Sequence, residues 1–237
     1  MSLRKNRVLK LNILLLVLAM ACLFYYDYMG GLVLKGITSA WFIGLGVLNL
    51  IYTYQTAPQK LRVTGLMVAG LAFAFAADVL LSTYFMTGIV LFAIGHLFYC
   101  AAYCALERIH LRDLIPVVAV GILSLLCLLC TPYIQVDDPT LQPLLVSYAV
   151  IISCMFGKAL ANLLRHPSRT RWLLLTGSVL FWFSDFMLAL SIFGSGGALA
   201  SRLCLYTYWP GQYLLAHTLY HYLNDSGEQA FHTAFNQ

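Results

Sequence analysis

The chain has 237 residues, 61% of them apolar and 10% charged, with 14 basic and 9 acidic side chains and a net charge of +5. Soluble domains carry about 25% charged residues, and the mean hydropathy here is +0.82, so a water-soluble globular enzyme and a disordered chain are both excluded. At about 20 residues per spanning helix, the length accommodates seven or eight spans and almost no extramembrane domain.

Breaks in the apolar runs predict eight helices, at 9–28, 32–54, 62–82, 85–106, 113–131, 141–164, 171–193 and 202–223. The breaks carry loop-forming residues: Gly30-Gly31, Pro58, Pro132, Asp137-Asp138-Pro139, Pro167 and Ser195-Gly196-Gly197. The chain therefore reads as a single all-α polytopic membrane domain, followed from 224 to 237 by a short cytoplasmic tail. Arg4, Lys5, Arg7 and Lys10, with Ala19-Met20-Ala21-Cys22 beyond them, have the outline of a signal peptide. The apolar run continues through Leu23-Phe24-Tyr25-Tyr26 with no polar mature region behind it, so the segment is read as the first span.

Eleven of the 14 Lys and Arg residues fall on one side of this layout: Arg4 to Lys10, then Lys60, Arg62, Arg108, Arg112, Arg165, Arg169 and Arg171. By the positive-inside rule that side is cytoplasmic and holds both termini, as an even number of spans requires. Lys35 and Arg202 fall on the other side, near Asp27, Asp137 and Asp138, while Lys158 in helix 6 is placed to snorkel to the inner face. A bacterial inner membrane and an endoplasmic reticulum membrane would give the same pattern. The basic residues sit in short clusters with no long face to track phosphates, so no nucleic-acid partner is expected. Cys22, Cys100, Cys104, Cys127, Cys130, Cys154 and Cys204 lie mostly in apolar stretches, where cysteine acts as a small apolar residue.

Two carboxylates survive deep in apolar helices, Asp78 and Asp185. A charge at the bilayer centre costs at least ~2.5–3.5 kcal/mol, so such residues usually line a cavity or pair with something. Asp78 lies 16 residues beyond Arg62 and Asp185 lies 14 beyond Arg171. Their depths from the inner face are then about 24 Å and about 21 Å. Each follows a glycine by eight positions (Gly70, Gly177) and precedes a leucine by three (Leu81, Leu188), which suggests a 4 + 4 parallel repeat with one acid from each half. Lys35, His96, Tyr148, Ser184, Tyr208 and Gln212 fall in nearby layers. Each has a bland reading as an interface or core residue, but together they outline a polar chamber opening towards the outer leaflet.

Several chemistries fail on spacing. A zinc hydrolase needs three or more ligands together, whereas His217-x3-His221 has helical spacing and no third ligand close in sequence, and Cys127-x2-Cys130 has no second pair. The Gly-x-Gly-Asp of intramembrane aspartyl proteases and the Gly-x-Ser-x-Gly elbow of serine hydrolases are both absent. A metal-free pair of carboxyl groups remains. One, kept protonated by low-dielectric surroundings, donates a proton; the other, ionised, activates water or stabilises an oxocarbenium-like cation. Buried in a membrane, such a pair would suit an ether or vinyl-ether lipid.

Asp78-x2-Leu81, Gly95-His96-Leu97-x-Tyr99, Phe183-Ser184-Asp185-x2-Leu188-Ala189-Leu190 and Thr207-Tyr208-x3-Gln212 resemble the successive motifs of the YhhN-like lysoplasmalogenase family. Lys35 and Tyr148 fall where that family has a helix 2 lysine and a helix 6 tyrosine, and the resemblance covers about residues 35–215. The chain departs from the pattern at Ala77 (usually Gly), Gly36 (commonly Pro) and Trp209-Pro210, the last of which is expected to reshape the pocket or kink helix 8. The resemblance implies hydrolysis of the vinyl-ether bond of lysoplasmalogens to a fatty aldehyde and glycerophospho-ethanolamine or -choline, without a cofactor. It implies Asp78 and Asp185 as the catalytic pair, with Asp185 the first choice as proton donor and the reverse assignment open. Lys35 would contact the phosphate, and His96, Tyr99, Tyr148, Ser184, Tyr208 and Gln212 would line or order the substrate site. The same chamber would also suit a transporter or binding protein for a small zwitterion, which differs in leaving its ligand unchanged.

Overall fold

The computed structural model describes residues 2–129, 134–136 and 138–225; Cys130, Pro132, Asp137 and the expected tail from 226 onward lie outside these. The described residues form eight helices: α1 Ser2–Met29, α2 Leu32–Thr56, α3 Leu61–Leu81, α4 Phe85–Leu106, α5 Leu114–Leu129, α6 Leu141–Arg165, α7 Arg169–Phe193 and α8 Gly197–Asn224. Among them there is no strand, only an isolated antiparallel bridge between Ile134 and Gly194. Helices α1 to α7 are long and apolar enough to cross a membrane. Helix α8 has the length, at 28 residues, but carries more tyrosine, histidine and other polar side chains.

Two helices start earlier than the apolar runs predict. Arg4, Lys5, Arg7 and Lys10 are inside α1, and Ser201 and Arg202 are inside α8. Arginine and lysine are good helix formers, so charge ends an apolar run without ending the helix. The true breaks are conformational. Gly30 and Gly31 take φ of 67° and 94° to reverse the chain between α1 and α2, which costs a residue with no Cβ nothing sterically. Ser168 caps α7, its hydroxyl accepting the Arg171 backbone N–H at 3.3 Å. Pro210 sits inside α8, which runs on beyond it.

Helix α3 lies against α4 and α7 against α8, with α2 packed on both α3 and α8, and α5 held chiefly by α6. The two close pairs are built alike. A Cβ on Gly95 would come within 3.2 Å of the Gly70 carbonyl, and one on Gly211 within 3.2 Å of the Gly177 carbonyl. The face of Gly70 is filled by the Tyr99 ring and that of Gly177 by Leu215, each four residues past the partner glycine. Asp78 and Asp185 each stand eight residues beyond the first glycine of their pair. Small residues at such crossings let backbones approach, as lipid-embedded packing demands.

Polar side chains are paired between helices. Asn12 and Asn49, both wholly buried, bond to each other at 2.9 Å, and Asn49 also donates to the Ala216 carbonyl at 3.1 Å, joining α1, α2 and α8. Beyond the cytoplasm-facing end assigned from sequence, Glu107 pairs with Arg171 at 3.0 Å and Arg165 at 3.7 Å, and Asp113 pairs with Lys158 at 2.7 Å and with Arg165. Lys158 therefore does not snorkel to water: it is 3% exposed and held by the Asp113 carboxylate and the Arg108 carbonyl. Large apolar residues such as Val17, Ile115, Val118, Ile122 and Leu126 point outwards, the reverse of a soluble bundle and the surface that hydrocarbon requires.

Candidate active site

Helix α2 carries Lys35 and, one turn on, Ser39; α3 carries Asp78; α7 carries Asp185; and α8 carries Tyr208 and Trp209. All but Ser39 line one cavity of about 140 Å³, together with Tyr26, Phe92, Ser201 and Cys204. Both acids, from different halves of the chain, thus face the same space as the Lys35 ammonium. Lys35 reaches towards Ser82 Oγ at 3.4 Å.

The two carboxyl groups are held differently. Asp78 Oδ2 accepts two hydroxyl donors, Ser39 at 2.5 Å and Tyr208 at 2.7 Å. Ser39 is itself aimed by the Trp209 indole N–H, 3.0 Å from its oxygen. This gives Trp209, a departure from the expected family pattern, a defined place behind the first acid. Among the described residues, Asp185 Oδ2 accepts one hydrogen bond, from the Tyr148 hydroxyl at 2.6 Å. His96 Nδ1 donates to the Phe92 carbonyl at 2.6 Å, which turns Nε2 towards Asp185 Oδ2 at 3.9 Å, beyond hydrogen-bond length. That Nε2 is fully buried and has no hydrogen-bond partner among the described residues. A buried, unpaired nitrogen beside a carboxyl is costly to keep unless something is to bind there.

The rings of Phe92, Phe181 and Tyr208 meet edge-to-face, with centroids 5.2–6.0 Å apart, and Phe92 and Tyr208 line the cavity with the two acids. Phe181 also packs against His96 at 4.5 Å. Phe92 precedes Gly95 by three residues as Tyr208 precedes Gly211, so the two rings occupy matching places and only one of them carries a hydroxyl.

Three of the residues expected at the site stand behind it. The Tyr99 hydroxyl donates to Gln212 Oε1 at 2.7 Å, both residues fully buried, and the Ser184 hydroxyl donates back to its own helix at Phe181. None of the three lines the cavity, and neither do His96 and Tyr148, which reach it only through Asp185. Gln212 Nε2 also lacks a partner among the described residues. Conversely, Ser39 and Phe92 belong to the site and were not singled out from the sequence, and Trp209, noted there only as a departure expected to reshape the pocket, holds Ser39. The available signal for Ser39 was its spacing of four from Lys35, which puts both on one helix face. His217 and His221 face each other at 3.2 Å beside Asn12, and no group of three potential metal ligands occurs among the described residues.

No solved structure matches the chain. The sequence profile of the YhhN family matches residues 38–219, a stretch that contains Ser39, Asp78, His96, Tyr148, Asp185 and Tyr208 and begins just after Lys35. With that much of the chain matched, both acids and their donors included, the protein belongs to the YhhN family.

Proposed function

We propose that the protein is a membrane-embedded lysoplasmalogenase, cleaving the vinyl-ether bond of lysoplasmalogens by proton transfer from Asp185 and charge stabilisation by Asp78. The observation that carries this reading is the single cavity shared by the two carboxyl groups and Lys35. Family membership supports a hydrolase of this type.

The hydrogen bonds support the division of labour. Asp78, with two hydroxyl donors and Lys35 in the same cavity, is built to carry a negative charge. Asp185, with one donor and rings around it, is built to hold a proton and give it up. In the first step Asp185 protonates the vinyl carbon remote from the ether oxygen, and the double-bond electrons form the new C–H bond. The adjacent carbon becomes an oxocarbenium cation facing the Asp78 carboxylate. Water ordered by Asp78 adds to that carbon and loses a proton, replacing the one spent. The hemiacetal then collapses to a fatty aldehyde and a glycerophospho-alcohol. Lys35 takes the phosphate as a point charge, and His96 Nε2, 3.9 Å from Asp185, receives a hydrogen bond from substrate or water.

In this reading α8 is an eighth span. At 28 residues it is about 42 Å long, enough to cross the hydrocarbon core, and it packs against α7, α2, α1 and α3. Both termini are then cytoplasmic, and the two halves form a parallel repeat.

The test is aldehyde release by purified, detergent-solubilised protein given a lysoplasmalogen beside its saturated alkyl-ether and acyl analogues. Cleavage of the vinyl ether alone, slowed in deuterated water because carbon protonation limits the rate, is the expected result. Folded protein that cleaves none of the three would overturn the reading and favour a transport or binding role.

A further inference from the structure

A second cavity, of about 90 Å³, adjoins the polar one, and the two share four wall residues: Leu81, Phe92, Asp185 and Leu188. Helices α5 and α6 contribute to this second space and to no part of the first. One carboxyl group, that of Asp185, therefore faces both. Elsewhere the walls are hydrocarbon and ring, including Ile89, Ala149, Phe186 and Ala189.

The few polar groups in those walls are already engaged. Ser124 Oγ donates to the Val120 carbonyl at 2.8 Å and accepts from Ser153 at 2.8 Å and from the Trp182 indole N–H at 2.7 Å. That exhausts the capacity of a hydroxyl and satisfies Trp182 as well. The Tyr148 hydroxyl is spent on Asp185. Away from Asp185 at its mouth, a small polar solute would find the side-chain hydroxyls and the indole N–H of this cavity already engaged, whereas an unbranched hydrocarbon chain would lose nothing.

We propose that this cavity is the binding site for the hydrocarbon chain of a single-chain lipid. The chain runs from Asp185 to the wall formed by Ser124, Cys127 and Leu128 of α5, and that wall selects its length. The proposal rests on the lysoplasmalogen reading for the identity of the reacting bond, which then lies where the two cavities meet. It also supplies what that reading lacks, a reason why one acid and not the other meets the alkenyl carbon: Asp78 faces only the polar cavity.

Two measurements test it on the full chain. The first is photo-cross-linking with a saturated 1-O-alkyl lysophosphoethanolamine carrying a diazirine on its terminal chain carbon. This probe cannot be turned over, so the result does not depend on activity. Label should appear on the α5 stretch from Ser124 to Leu129 and the α7 stretch from Trp182 to Phe193, and excess unlabelled analogue should remove it. The second is kcat/KM of Cys127→Phe and Ala189→Phe for decenyl and octadecenyl lysoplasmalogens. Each methylene shut out of the cavity should cost about fourfold, so the octadecenyl substrate should lose at least about tenfold more than the decenyl one. Label on other helices, or equal losses for both chain lengths, overturns the chain site even if the vinyl ether is cleaved. Label on α5 and α7 without any turnover leaves the chain site standing and overturns the reaction. Should either variant fail to fold, the cross-link on the unaltered chain still decides.

Discussion

Asp78 and Asp185 are the same residue at the same remove from a crossing glycine, and what separates them is the company each keeps. Two hydroxyls converge on Asp78, one of them held by an indole, while Asp185 has one hydroxyl and an imidazole nitrogen just out of reach. Replacing either acid with Asn keeps the shape and the hydrogen-bond acceptor but removes proton exchange. Asp78→Asn and Asp185→Asn are each expected to lower aldehyde release by about 10²–10⁴-fold, the usual worth of a positioned acid or base, with thermal unfolding in detergent little changed. Near-normal rates in both variants would end the mechanism. The acids were legible in the sequence because a carboxylate in an apolar run has few reasons to be there. Ser39 was not, since a serine in a spanning helix has many. The same limit explains Tyr99 and Gln212: the family resemblance pointed to both, and Gln212 also fell near the layer of the acids, but neither signal says whether a side chain ends in the cavity or behind its wall.

Among the elements, the glycines divide into those that pay their way by contact and those that do not. A Cβ on Gly88, at the start of α4, would lie 2.7 Å from the Leu81 backbone, and backbone cannot move aside cheaply. Gly36 in α2 has nothing within 4 Å and a helical φ. Gly88→Ala should therefore destabilise by about 1–3 kcal/mol through overpacking, whereas Gly36→Ala should be neutral or stabilising by up to about 1 kcal/mol. Unfolding midpoints in detergent check the contrast, and equal effects would mean that the α3–α4 contact is looser than described. Sequence separated the helices well because Gly and Pro punctuate them. It missed the starts of α1 and α8, where basic and small polar residues extend a helix past the hydrocarbon. It also treated Arg165 and Arg171 as a count of charge and Lys158 as a snorkelling base, and could not show that all three pair with Glu107 and Asp113.

At the scale of the molecule, that ion-pair group fastens α4, α6 and α7 at the end opposite the cavity. Glu107 and Arg171 are each 5% exposed, and removing one member of a buried pair strands the other. Glu107→Ala should cost about 3–5 kcal/mol, seen as a lowered unfolding midpoint without a change in which substrates are cleaved. Orientation is testable separately. In a cysteine-free background, Gln59→Cys and Thr83→Cys, exposed at the two ends of α3, should react with an impermeant maleimide from opposite faces of sealed vesicles, Gln59→Cys from the cytoplasmic face. Labelling of both from one side would refute a spanning α3.

The matched glycine crossings set Phe92 and Tyr208 in equivalent places, 5.7 Å apart in the wall of the cavity that both acids face. Were both tyrosine, each acid would receive a hydroxyl from the opposite half, and a lipid would meet nearly the same surroundings whichever way round it entered. With a phenyl ring on one side the site has a direction. On the proposed reading the charged head is drawn to the side where Tyr208, Ser39 and Lys35 stand, the tail is left to the side where the hydroxyls of Tyr148 and Ser124 are already engaged, and the bond between them is presented to one acid only. On that reading, the direction in which the substrate lies is written into the protein as the absence of a single oxygen atom.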